Sequence, residues 1–310
     1  MLQIELGAAN ETAGFAELIE LACVGCRHIF RQSLGYKRGY EFVECTACGS
    51  ISTQGLKSTT ASSSDIYDHY YDSASFKTPP VTAVSLTRLA ASFERFRDTG
   101  RWLDIGYGEG GLLAIAEGRG WSCYGTEIAP QSLEYGGRRG WVVAADAEAD
   151  RRFPRTGFDI VTMIEFLEHV SEPDRFLKAA AERLRPGGVL YLTTPNALSL
   201  NHRLLGLDWS IFAPPDHVII WTPVGLRSAL ARNGFQVSEI RTEGLNPCEI
   251  KARLGWSGGR QVPINRSQAA VKLNDALSKN AFRRAIKRGI NAGLSALRAG
   301  DTIKAWAVKK

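Results

Sequence analysis

No apolar run in this sequence is long enough to cross a bilayer, and its first residues, Met-Leu-Gln-Ile-Glu-Leu-Gly, have neither a basic flank nor a long apolar stretch. A membrane span and a secretory leader are therefore not expected, and the expected location is the cytoplasm. Acids are nearly missing from the last sixty residues. Residues 251–310 hold fourteen Lys and Arg against two acids, so this segment is +12 and the preceding 250 residues are −6. The basic character belongs to the tail, where it can serve anionic lipid headgroups, phosphates or nucleic acid, or form a solvated helix face. The content of 44% hydrophobic and 23% charged residues is ordinary for a globular protein, and 310 residues allow one large domain with an accessory one.

The chain is organised around Arg101-Trp-Leu-Asp-Ile-Gly-Tyr-Gly-Glu-Gly-Gly-Leu112. A short apolar run carries Asp104 and is followed by Gly106, Gly108 and Gly110, then by a helical pattern, which reads as strand, tight turn, helix. Glycines at such a turn permit positive φ and let a ligand lie against the backbone, and turns of this kind sit at strand carboxyl ends in doubly wound sheets. Gly106, Gly108 and Gly111 also satisfy the dinucleotide spacing, with Glu127 where a ribose-binding acid belongs.

Two further stretches separate these readings: Phe158-Asp-Ile-Val-Thr-Met-Ile-Glu-Phe-Leu-Glu-His-Val170 and Leu184-Arg-Pro-Gly-Gly-Val-Leu-Tyr-Leu-Thr-Thr-Pro-Asn196. With the glycine turn they resemble the class I S-adenosylmethionine-dependent methyltransferases, in the branch of the ubiquinone-biosynthesis O-methyltransferases and many saccharide methyltransferases. The resemblance covers roughly residues 99–245. It implies an α/β fold with a doubly wound, mostly parallel seven-stranded sheet. It also implies a cofactor set of Asp104, Gly106, Gly108, Gly110, Glu127 and Ile128, with Asp146 and Ala147 toward the adenine. Tyr107, between two glycines, departs from the usual small residue.

Cys23-Val-Gly-Cys26 and Cys45-Thr-Ala-Cys48 are C-x-x-C pairs eighteen residues apart, a spacing that reads as a structural four-thiolate zinc site. A ribbon over 1–58 is expected, similar to the one that precedes many methyltransferases of this branch. Residues 59–98 then hold a Tyr-rich segment with Tyr67, Tyr70 and Tyr71, read as a lid or as cement to the core, and a lead helix over 81–97. The methyltransferase domain spans 99–310, with a basic helical insertion at 246–298 before the last strand. In that insertion Phe282, Ile286, Ile290, Leu294 and Leu297 make an apolar stripe opposite Arg283, Arg284, Lys287 and Arg288. The stripe is expected to pack on the domain; alternatively, residues 281–298 lie on an anionic membrane.

Glu165-Phe-Leu-Glu168-His169 follows the fourth strand of this fold, before a helix expected to be capped by Ser171. In the ubiquinone-pathway relatives this arrangement is associated with a divalent metal, which makes Glu165, Glu168 and His169 candidate ligands beside an acceptor oxygen. His217 lies in the long stretch 196–221, which resembles an acceptor-side loop. His169 and His217 are candidate bases and Glu165 a candidate partner, since histidine titrates near working pH. The expected reaction is methyl transfer to an oxygen of a saccharide, sugar nucleotide, lipid-linked glycan or related small molecule. One alternative is an RNA base methyltransferase. Asn-Pro-Pro-Tyr and paired catalytic cysteine motifs are absent, and few aromatics of the ribbon look exposed, which speaks against nucleic acid. Another is a silent methyltransferase-like scaffold.

Overall fold

The structure, a computed structural model, describes residues 22–55, 76–147, 150–253 and 281–310. Seven strands form the main sheet: β4 (Arg101–Ile105), β5 (Ser122–Thr126), β6 (Val142–Ala144), β7 (Phe158–Ile164), β8 (Leu184–Pro195), β10 (Phe235–Glu243) and β11 (Thr302–Lys309). Their order is β10-β11-β8-β7-β4-β5-β6. β4 through β8 run parallel, and β11 is antiparallel to both neighbours. The doubly wound sheet read from the sequence is therefore the one observed.

Phe158-Asp-Ile-Val-Thr-Met is buried throughout, as a central parallel strand covered on both faces requires. Alternate residues serve opposite layers. Trp102, Ile160, Val189 and Tyr191 pack with Leu113 and Phe93 on one face, while Leu103, Val161, Leu190 and Leu192 pack with Leu177 and Leu226 on the other. The order in which successive strands are added across the sheet reverses between the parallel neighbours β4 and β7, so the glycine turn and the Glu165–His169 segment emerge side by side at strand carboxyl ends.

A second sheet has the order β1-β2-β3-β9, all antiparallel, from β1 (Arg31–Lys37), β2 (Tyr40–Cys45), β3 (Ile51–Gln54) and β9 (Ile219–Ile220). The ribbon thus takes its last strand from the acceptor-side loop. Phe30 and Tyr36 are 66% and 71% exposed, against the expectation of few exposed aromatics there.

Several local expectations change. The lead helix, α1 (Pro80–Phe93), gives way to a 3-10 turn at Glu94–Phe96. α2 (Gly111–Gly118) follows the glycine turn and α3 (Pro130–Arg138) follows β5. α4 (Pro173–Arg183) has Glu172, not Ser171, at its N-cap and no side-chain cap bond. Proline at its first position needs no capped amide there, and Asp174 turns away to Arg232 and Asn233 at 2.8 and 2.7 Å. β8 begins at Leu184, with its register against β7 irregular between Phe158 and Ile160. α5 (Leu200–Leu205) lies in the loop, and α6 (Pro223–Arg232) is capped by Thr222, whose hydroxyl accepts from the Gly225 amide at 3.1 Å.

Within the insertion, α7 (Pro247–Arg253) and α8 (Ala281–Ala296) are described. The expected packing of the α8 stripe fails at Ile286, Ile290 and Leu297, which are 42%, 49% and 71% exposed. α8 is instead held to β10 by polar bonds, with Thr242 Oγ1 donating to the Leu294 carbonyl at 3.1 Å. The Tyr-rich segment lies outside the described residues, as does the Phe282 side chain. Among the described residues no helix is long and apolar enough to cross a membrane.

Candidate functional site

At the end of β4 the chain turns through Gly106, Gly108 and Gly110 with φ of 69°, 53° and 70°. A Cβ on Gly106 would stand 2.5 Å from the Phe166 ring and one on Gly110 2.8 Å from Trp141, so sterics as well as φ require glycine at both positions. Gly106 donates to the Thr126 carbonyl at 2.8 Å, which ties the turn to β5. Glu127 completes the tie. Its Oε2 accepts from Gly108 N at 3.0 Å, and its Oε1 accepts from Ile128 N at 2.7 Å and Ala129 N at 3.2 Å. Ile128 is 44% exposed beside it.

Asp104 lies under the turn, 3% exposed, with Oδ1 accepting from Thr162 Oγ1 at 2.6 Å. Burial pushes its carboxyl up to about 7, and the nearby Glu127 charge adds to the rise. Trp102 Nε1 in turn donates to Thr162 Oγ1 at 3.0 Å. Asp146 is half exposed, 3.9 Å from Arg175, and the Ala147 carbonyl accepts from Arg183 at 2.9 Å. Both stand past the end of β6, on the same edge of the sheet as Glu127.

The departure at Tyr107 has a definite place. Its ring is buried under Gly125 and Gly136, where added Cβ atoms would meet it at 2.4 and 2.9 Å, and its hydroxyl donates to the Ser132 carbonyl at 2.6 Å. It wedges α3 against β5.

A second group of polar side chains gathers after β7. Glu165 has φ of 49°, a rare conformation for a residue with Cβ. Thr193 holds it there: its carbonyl accepts from the Glu165 amide at 2.9 Å, and its hydroxyl donates to Glu165 Oε1 at 2.8 Å. Glu168 is wholly buried. Its Oε2 accepts from Thr194 Oγ1 at 3.0 Å, while Oε1 has no hydrogen-bond partner and lies 4.0 Å from His169 Nε2. Burial, reinforced by the Glu165 charge, holds its carboxyl well above the usual carboxylate range.

His169 and His217 meet edge to face, with ring centroids 4.8 Å apart. His169 Nδ1 donates to the Asp216 carbonyl at 2.9 Å and His217 Nδ1 to the Ile211 carbonyl at 2.7 Å. A carbonyl only accepts, so in each neutral ring the lone pair is on Nε2. Ligand atoms of Glu168, His169 and His217 all lie within 4.8 Å of one another, whereas Glu165 falls outside that group. The expected set of Glu165, Glu168 and His169 thus becomes one in which His217 replaces Glu165.

The four cysteines also converge, with Cys23 and Cys48 sulfurs 3.6 Å apart, Cys26 and Cys45 sulfurs 3.5 Å apart, and all four within 4.8 Å. The hydrogen bond from Cys23 holds the Cys48 thiol down at about 4, helped by Ser50. The cluster is anchored to α6. Thr222 Oγ1 donates to the Cys48 carbonyl at 2.6 Å, and Arg232 donates to the Gly25 and Val24 carbonyls, each at 2.7 Å.

Sequence reasoning missed Thr53, Thr162, Thr193 and Thr194, which orient the named groups. A signal was present for three of them: Thr162 interrupts an apolar run, and Thr193-Thr194 closes another.

A family model described as "Methyltransferase domain" matches residues 81–240. A ubiquinone biosynthesis O-methyltransferase of Xanthomonas euvesicatoria pv. vesicatoria is 35% identical over 209 residues, covering 62% of this chain and 85% of that protein. One from Idiomarina loihiensis is 37% identical over 134 residues, 40% of this chain, and the chain spans about half of its length, 51%. Among solved structures, a SAM dependent methyltransferase from Archaeoglobus fulgidus aligns with a TM-score of 0.47 and 21% identity, over 73% of this chain and 93% of that one.

Proposed function

The chain belongs to the S-adenosylmethionine-dependent methyltransferases, and from that premise we propose that it transfers the cofactor's methyl group to a hydroxyl oxygen held against His169 and His217. The observation that carries this reading is the pair of imidazoles whose Nδ1 atoms are committed to carbonyls, 2.9 and 2.7 Å away. With Nδ1 donating, the lone pair of each neutral ring is on Nε2, and one of the two rings takes the acceptor's proton there as the carbon–oxygen bond forms and the carbon–sulfur bond breaks. The sulfonium is already electrophilic, so the remaining work is alignment of the two reactants. The glycine turn and Glu127 serve the cofactor. Glu168 and Thr194 support the acceptor end.

A ring hydroxyl is the acceptor we propose. The relatives' names speak for an oxygen acceptor of the ubiquinone pathway, and the branch resemblance extends the choice to saccharides and lipid-linked glycans. Incubation with methyl-labelled S-adenosylmethionine and a panel of phenolic and saccharide hydroxyls tests it. Label in an ether product supports the reading, and label found only on nitrogen or carbon sinks it. A second reading, an RNA base acceptor, is favoured by exposed Phe30, just before β1, and exposed Tyr36 on β1, the strand that also carries Arg31, and steeply salt-dependent RNA binding would promote it.

The cysteine cluster is proposed to hold structural zinc, because four thiols at these separations suit a closed tetrahedral site. The divalent ion implied by the family resemblance also finds fitting donors. Glu168 Oε1 is buried without a hydrogen bond, and His169 and His217 join it within 4.8 Å. With such an ion bound, the Nε2 lone pairs of both rings would be its ligands, and its Lewis acidity on an acceptor oxygen would stand in place of proton removal by the rings. The exposed stripe on α8 is proposed to touch an anionic membrane surface through 281–298.

A further inference from the structure

The sheet that carries the cysteines reaches the acceptor site directly. Thr53, on β3, is 8% exposed and makes two bonds to the acceptor-side loop. Its hydroxyl donates to the His217 carbonyl at 3.0 Å and its amide to the Val218 carbonyl at 2.9 Å. Ile51 and Ser52 pair with Ile220 and Ile219 immediately beyond. On its other edge the same segment bonds to the catalytic side, since Val218 and Ile219 amides donate to the Glu168 carbonyl at 2.8 and 3.2 Å. Residues 217–220 are therefore clamped between the ribbon and the backbone of Glu168. The clamp continues to the thiols: Ser50 Oγ accepts from the Thr222 amide at 3.2 Å, and the Thr222 hydroxyl donates to the Cys48 carbonyl.

We propose that the four-cysteine ribbon is a positioning element for the methyl acceptor, with Thr53 as the positioning residue that sets His217 against His169. This rests on the acceptor-site reading above but concerns how that site is held. The hydrogen bonds to the His217 and Val218 carbonyls fix the backbone from which the imidazole projects. Ordering of β3 depends in turn on the turn formed by Cys45 and Cys48, because Cys45 N donates to the Ser50 carbonyl at 2.9 Å, one residue before β3 begins. Among the described residues none of the hydrogen bonds of Gly106, Gly108 and Gly110 runs to β3, so the cofactor end is taken to be independent of this control.

The full-length protein with zinc bound is compared with Thr53→Val and Thr53→Ser. The imidazole signals of His169 and His217 are followed by NMR, alongside S-adenosylmethionine affinity and, with an active acceptor, KM and kcat. Thr53→Val is expected to shift the His217 and His169 signals and to raise acceptor KM about tenfold, the worth of one buried hydrogen bond left unmade. S-adenosylmethionine affinity stays within twofold, and Thr53→Ser behaves as the parent. Removal of zinc by a thiol-directed mercurial should move the same two signals while cofactor binding persists. Unchanged imidazole signals after both treatments would overturn the proposal. So would a loss of cofactor binding equal to the acceptor effect, which marks general unfolding. The NMR arm needs no turnover, so a protein that methylates no oxygen would sink the acceptor reading while leaving this test intact.

Discussion

Thr162 donates its hydroxyl to a carboxylate oxygen of Asp104 at 2.6 Å, inside the sheet and directly below the turn expected to carry the cofactor. One hydrogen bond does not offset complete burial, which is why the Asp104 carboxyl lies at about 7 against 3.8 for the ordinary group. In this window the native state holds more protons than the unfolded chain, so stability falls as pH rises from about 4 to about 7 and stays reduced above that. Asp104→Asn should therefore raise stability at pH 8 by up to about 4 kcal/mol and change little at pH 4. Urea denaturation at the two pH values checks the sign. A positively charged cofactor favours the ionised acid, so calorimetry in buffers of different ionisation heat should find protons released on S-adenosylmethionine binding at pH 6 and few at pH 8.

Tyr107 supplies a separate test of geometry. Its hydroxyl satisfies the Ser132 carbonyl, and the ring fills space left by Gly125 and Gly136. Tyr107→Phe leaves that carbonyl short of a donor and should cost about 1–2 kcal/mol in denaturation. Cofactor affinity should remain within about twofold, since the side chain faces α3. A large loss of affinity with unchanged stability would place the ring in the pocket.

Much of this was legible in the chain, and the reason differs by element. Continuous burial wrote Phe158–Ile164 as an apolar run, and a short apolar run carrying Asp104 before Gly106, Gly108 and Gly110 marked the turn, so strands and the expected cofactor end followed from local pattern. The cysteine spacing likewise carried its own geometry. What was not legible depended on contacts between distant segments. His217 lies forty-eight positions after His169, and long-range bonds, from the Val218 and Ile219 amides to the Glu168 carbonyl and from β9 to β3, bring its loop to Glu168. Tyr107 looked like an intrusion because its two compensating glycines, Gly125 and Gly136, lie far along the chain. Ser171 failed as a cap because the helix starts one residue later than expected, at Pro173, which puts Glu172 in the cap position.

The ribbon's anchorage predicts a coupled loss. Arg232 bonds to the Gly25 and Val24 carbonyls and to Asp174, joining the first C-x-x-C turn to α6 and α4. Arg232→Ala removes the donor from two carbonyls and one partner from a carboxylate that keeps Asn233 and Arg27. The expected cost is about 2–4 kcal/mol, together with faster zinc release to a chelator. Zinc release is followed with a colorimetric indicator on the intact protein. An unchanged release rate would mean that the first turn is held by the metal alone.

The exposed stripe on α8 makes a prediction about surfaces. Ile286 and Ile290 are about half exposed, and Arg288 between them is exposed as well. Vesicles containing phosphatidylglycerol should bring the protein down in sedimentation, with binding reduced by the double change Ile286→Ser and Ile290→Ser and by raised salt. Neutral phosphatidylcholine vesicles should not. Equal binding to both vesicle types would remove the electrostatic part of the proposal.

His169 and His217 should act as one unit, and their variants should show it. Each ring is oriented by a carbonyl on Nδ1 and faces the other at 4.8 Å between centroids, so neither occupies the acceptor end alone. Glutamine preserves polarity and much of the volume but has no group that accepts a proton near neutral pH. His217→Gln and His169→Gln should each lower kcat by about a hundredfold or more, the usual worth of a positioned general base. S-adenosylmethionine affinity should hardly change, because the cofactor end is proposed at the Asp104 turn and Glu127. If the two rings share the proton-taking step, the double variant should lose little more than the worse single one, since groups acting together do not contribute additively. Steady-state kinetics of the three variants decides this. Losses that multiply in the double variant would assign the rings to separate tasks, with His217 holding the acceptor and His169 taking the proton.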